Sequence, residues 1–142
     1  IRNIMAIKND ERILALREQI EAKKKTLGKQ PRFSPVTTCM LDVNGTRINL
    51  HTLNSIDKIN HLLVYLNMWV MSAEDMGIDP KDIMLSDFPV TEWMDDLRSK
   101  KAVVVYQEEA KKLNALNAQL EKLLSDDKKT ELEIDAIAEL LG

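Results

Sequence analysis

The stretch LDVNGTRINLHTL, residues 41–53, interrupts a chain whose other long segments carry helical patterns, and its reading decides the fold. Asn44-Gly45 is the strongest short hairpin signal, because a type I′ turn needs positive φ at both central positions. A two-residue loop there pairs Val43 with Thr46, Leu41 with Ile48 and Cys39 with Leu50 on one side. The other side carries Met40 with Asn49, Asp42 with Arg47 and Thr38 with His51. Apolar and polar positions therefore alternate, as they do on a strand pair with one buried face. A lone hairpin is marginal in water. The face made by Cys39, Leu41, Ile48 and Leu50 must lie on a helix or meet another strand.

Upstream, the pattern predicts a basic helix over residues 6–28. Ile13, Leu16, Ile20 and Leu27 fall at a and d spacing, with Lys23 filling one seam position. Asn9 or Asp10 would cap the helix if it starts late, and Gly28 suits its C-terminal end. Pro31 and Pro35 then prevent continuation. Downstream, Asn54 or Ser55 caps a helix over 55–77 that closes at Gly77. Its middle is apolar on nearly every face, from Leu62 to Met71, which predicts a central helix covered by others. The segment GIDPKDIMLSDFPV reads as the main loop, with a single helical turn at Asp79-Pro80. Residues 90–142 are predicted to be long C-terminal helices. Leu113, Leu116, Leu120 and Leu123 mark a coiled-coil stripe, and Ser125-Asp126-Asp127 offers a cap for a separate final helix. The β-prone VVVY at 103–106 is flanked by helix formers and reads as helix.

The expected fold is mainly α: long coiled-coil-forming helices around a buried central helix, with one β-hairpin at 36–53. The chain of 142 residues suits a single domain. Its 44% hydrophobic content argues against disorder, and 30% charged residues suit helices with solvated faces. Cys39 is the one cysteine, so no internal disulfide can form and a reducing, cytoplasmic setting is expected. The longest apolar run, LLVYLNMWVM, is too short to span a bilayer, and residues 1–12 lack the pattern of a signal peptide. No membrane association is expected.

Charge is uneven along the chain. Residues 1–32 hold nine basic and four acidic side chains, net +5, and residues 33–142 hold eleven and nineteen, net −8. The basic arm and the acidic remainder should attract each other, within one chain or between chains.

Catalytic signatures are missing: there is no Ser-His-Asp, phosphate-loop, dinucleotide or zinc-protease pattern. Cys39 and His51 lie on opposite hairpin faces, which disfavours a thiol nucleophile and, with His61, a metal site. Adjacent acids such as Asp95-Asp96, Glu108-Glu109 and Asp126-Asp127 do not share a helix face and read as solvated surface. No cofactor or metal is expected, and the chain reads as non-enzymatic.

Two polar features are candidate ligand or anion sites. Lys23, Lys24, Lys25, Lys29 and Arg32 cluster beside Phe33, and lysines with an aromatic can hold phosphates and stack a base. The plainer reading is a solvated helix end, favoured by the acidic pI of about 5.5. The polar hairpin face, with Arg47, Asn49 and His51, is the second; its plainer reading is an exposed face with an Asp42–Arg47 ion pair. For association the candidates are Leu113, Leu116, Leu120 and Leu123. The expected function is that of a self-associating interaction protein, an adaptor, assembly factor or inhibitor, with a homo-oligomer and a protein partner. The alternative is a binder of nucleic acid or of a small phosphate-bearing ligand. In general shape, helices flanking a hairpin resemble coiled-coil adaptors and small accessory proteins of phages and mobile elements, with no motif behind the likeness.

Overall fold

The computed structural model describes residues 4–141, with the side chains of 9–128 and of Ile134, Ile137, Glu139 and Leu140. Helix α1 spans Ile4–Leu27, strands β1 and β2 span Met40–Val43 and Thr46–Asn49, and α2 spans Ile56–Asp75. A 3-10 turn at Pro80–Asp82 precedes the short strands β3, Met84–Leu85, and β4, Phe88–Pro89, and α3 spans Val90–Leu141. The fold is mainly α with minor β. The chain divides into two compact units: a helical unit of residues up to Gly28 and from Glu109 onward, and a middle unit of Lys29–Glu108.

The hairpin forms as its sequence dictates. Met40 faces Asn49, Leu41 faces Ile48, Asp42 faces Arg47 and Val43 faces Thr46. Asn44 and Gly45 have φ of 49° and 83°, the two positive values of a type I′ turn. The apolar face is buried: Cys39, Leu41 and Leu50 join Ile59, Leu62 and Leu66 of α2 and Val90, Trp93, Leu97 and Val104 of α3 in one core. Two helices thus supply the cover that an isolated hairpin lacks. Trp93 is fully buried, and its indole N–H donates to the Leu85 carbonyl at 2.7 Å.

Helix ends follow local chemistry. The Ser55 hydroxyl accepts from the Lys58 amide at the start of α2. At its end Gly77, φ 71°, lets the Gly77 and Ile78 amides reach the Glu74 and Ala73 carbonyls, a Schellman closure. Gly28 closes α1 in the same left-handed conformation, φ 63°. Asn9 and Asp10 do not cap α1, which has already begun at Ile4.

Three expectations are corrected. The loop after Gly77 contains a second hairpin, β3 paired with β4, with Ser86 and Asp87 both at positive φ. Ser-Asp adopts that turn at more cost than Asn-Gly, so the sequence does not announce it. No break occurs at Ser125-Asp126-Asp127: α3 runs 52 residues without interruption. A capping residue ends a helix only if the chain turns away, and no Gly or Pro in α3 makes it turn. Finally, α2 is not covered all round. Ile59, Leu62, Leu66 and Ala73 form its buried face, while Val64, Met68 and Met71 are exposed.

Gly45→Val tests the turn. No atom lies within 4 Å of a Cβ at this position, so the cost is backbone strain alone. At positive φ a β-branched residue should cost about 1–3 kcal/mol, lowering Tm by several degrees. An unchanged Tm in a thermal melt would contradict the turn assignment.

Candidate functional site

In the middle unit the polar chemistry gathers on the segment leading into β1. Pro31 and Pro35 keep it extended, so its amides need partners outside a ladder. Asp96 of α3 supplies them. Its carboxylate accepts from the Val36 amide at 2.9 Å, the Thr37 amide at 3.0 Å and the Thr37 hydroxyl at 2.6 Å. The Thr37 hydroxyl oxygen accepts in turn from the Cys39 amide at 3.3 Å. Both Asp96 and Thr37 are buried. The expectation that Asp95-Asp96 is solvated surface therefore holds only for Asp95, which is exposed beside Arg98 at 3.2 Å. Trp93, Asp96, Leu97, Lys100 and Val104 recur at helical spacing of 3 and 4, so an acid on the apolar stripe was the available signal.

Lys100, one turn beyond Asp96, was also missed. Its ammonium donates to the His51 carbonyl at 2.9 Å and lies 5.2 Å from the Phe33 ring centroid. Phe33 and His51 meet edge to face, 5.3 Å apart. The structure thus brings together Phe33 and His51 from the two separate candidate features, around a lysine that neither included. Asn49 serves the turn after β2, accepting from the His51 amide at 2.9 Å. Arg47 stands 3.5 Å from Asp42 across the strands, the ion pair of the plainer reading, and both are exposed. Such pairs contribute about 0–1 kcal/mol.

Arg47 and Asn49 do line an open cleft of about 620 Å³ with Asn54, Lys58 and His61, floored by Leu53 and Leu62. His51 is not among its lining residues. Cys39 is buried, and desolvation together with the nearby Asp96 carboxylate pushes its thiol up, with Lys100 opposing. A thiol held protonated is not an activated nucleophile. Among the described residues no group of three or more His, Cys, Asp or Glu side chains could hold a metal.

The basic segment divides between the units. Lys23, Lys24 and Lys25 belong to the helical unit, and Lys29, Arg32 and Phe33 to the middle unit. Lys23 forms an ion pair with Glu109, which also accepts from Lys112 at 3.1 Å. The Lys23 hydrogen bond, and then that of Lys112, hold the Glu109 carboxyl below its ordinary range. This pairing is intact above the usual carboxylate pKa and is lost as pH falls through the lowered value. Lys24 lies 3.8 Å from Glu21, and Lys25, Lys29 and Arg32 are exposed.

Within the helical unit Ile13 and Ile20 of α1 are buried, and Leu16 and Leu27 half-buried, as the a and d spacing implies. Leu113, Leu116, Leu120 and Leu123 are each half-buried. Ala15, Leu16 and Gln19 of α1 and Gln119 and Leu123 of α3 line an open cleft of about 500 Å³. Lys23 pairs with Glu109, while Leu16, earlier in α1, lines the same cleft as Leu123, later in α3; the two segments run antiparallel.

No protein-family model, curated protein or solved structure matches this chain.

Asp96→Ala should lower stability by about 3 kcal/mol, because it leaves two backbone amides and a hydroxyl without their acceptor. Asp96→Asn, which keeps one acceptor oxygen, should lose less. A thiol reagent should label Cys39 slowly in the native wild type and faster in native Asp96→Ala. Equal Tm and equal labelling would show that the contact is incidental.

Proposed function

We propose that the protein is a non-enzymatic interaction protein that self-associates through the helical unit and acts by binding a protein partner. One observation carries the reading: the Leu113, Leu116, Leu120 and Leu123 stripe is only partly buried although it shares a compact unit with α1. A full leucine burial contributes about 1.5–3 kcal/mol, and two antiparallel helices enclose their shared seam from only two sides. Further helices from another copy would close the cleft between Leu16 and Leu123 in a bundle. An adaptor, assembly factor or inhibitor has this construction, in which association is the activity. No described helix is long and apolar enough to cross a membrane, and a cytoplasmic setting is part of the proposal.

The phosphate-binding alternative has less support. Lys23 is engaged by Glu109, and the remaining cations lie on two units.

Static light scattering tests the reading. The wild type should show a mass above the 16.2 kDa of one chain, and Leu116→Asp should lower that mass. A charge placed in the seam costs several kcal/mol if unpaired. Circular dichroism of the variant checks that helix content persists. A wild type that stays at 16.2 kDa at high concentration would refute self-association.

A further inference from the structure

Residues 62–73 of α2 contain no ionisable acid, base or histidine, although this helix buries only one face. On the opposite face Val64, Met68 and Met71 are 64%, 62% and 57% exposed. A run of large apolar side chains this exposed is unusual unless something covers it. With His61 and Asp75, both exposed, they form the series 61, 64, 68, 71, 75. The steps of 3, 4, 3 and 4 are the a and d spacing of a coiled-coil seam. Tyr65 and Trp69 flank the stripe, 6.5 Å apart and edge to face. Asn44, Tyr65, Met68, Trp69 and Ser72 line a hollow of about 280 Å³ beside it.

We infer that this face is a two-fold docking surface whose occupant is a second copy of the chain, its α2 laid antiparallel across the first. Reversed, the series matches itself to within one residue. An axis at Met68 sets Met68 against Met68 of the second copy and brings Val64 within one residue, about 1.5 Å along the helix, of Met71. It also sets His61 against Asp75 at each end. His61 can donate a hydrogen bond to a carboxylate in either of its charge states. A parallel arrangement would set Asp75 on Asp75, so the charges select the antiparallel one. Asp57, in phase one turn before His61, falls past the end of the opposing helix, which stops at Asp75. Methionines adapt to a facing surface, and each copy offers a hollow lined by Tyr65 and Trp69 to the stripe of the other. The interface is isologous, as closed two-fold dimers require. It deepens the self-association reading by adding a surface separate from the leucine seam.

Sedimentation equilibrium of the full chain carrying Leu116→Asp reads this surface with the seam disabled. The parent should dimerise. Met68→Asp, at an exposed position that leaves the fold intact by thermal melt, should raise the dimer dissociation constant at least a hundredfold. His61→Asp sets acid on acid at both ends and should raise it about tenfold. Asp75→Lys removes the acceptor and should act in the same direction. The double variant His61→Asp with Asp75→Lys restores opposite charges and should bind at least as tightly as the parent. A monomeric parent, a Met68→Asp variant that dimerises as the parent does, or a double variant no tighter than the singles would each overturn the inference. Failure here with a seam-dependent mass in the Leu116 comparison would leave the proposed function standing, and the reverse result would remove it while keeping this surface.

Discussion

The buried Asp96 carboxylate is the constraint on which the middle unit depends. A chain coming through Pro31 and Pro35 has no ladder to satisfy its amides, and the buried Thr37 would otherwise bring a bare donor against the core. Asp96 accepts from the Val36 and Thr37 amides and from the Thr37 hydroxyl. That fixes the approach to β1, including the positive φ of 68° at Cys39, and so fixes which face of the hairpin turns inward. Burying an acid is expensive unless its oxygens are fully used. Here they are, and no buried side-chain polar atom among the described residues lacks a partner. One turn later Lys100 ties the other end of the hairpin through the His51 carbonyl and the Phe33 ring.

How much of this could be read in advance depended on whether the signal was local. Asn44-Gly45 fixes its own turn, and the turn fixes the register, so the pairing of Leu41 with Ile48 followed directly. Ser55, Gly28 and Gly77 act within one turn of themselves and were equally legible. Asp96 was not, because its partners lie 59 and 60 residues away and only the fold brings them together. Phe33 and His51 were each singled out, but for phosphate or anion binding; the structure has them touching each other and Lys100. The uninterrupted α3 was obscured by residues that cap helices elsewhere, and the Ser86-Asp87 turn by residues that rarely adopt it.

The apolar composition of α2 predicts a helix covered by others, and the core covers one face only. The same holds for the leucines of α3, only partly buried although they share a compact unit with α1. The basic arm meets the acidic remainder within one chain at Lys23 and Glu109, which helps to align α1 with α3. In both units the core consumes one side of a helix and leaves an apolar stripe over. Those two stripes, rather than a polar pocket, carry the proposed association.

Methyl-detected NMR of the wild-type chain across a dilution series tests that account most directly. The methyls of Val64, Met68 and Met71, and of Leu113, Leu116, Leu120 and Leu123, should shift with concentration. Those of Leu41, Leu50 and Leu97, enclosed in the core, should not. Stripe methyls that stay fixed at every concentration, in a protein that diffuses as a single chain throughout, would contradict it.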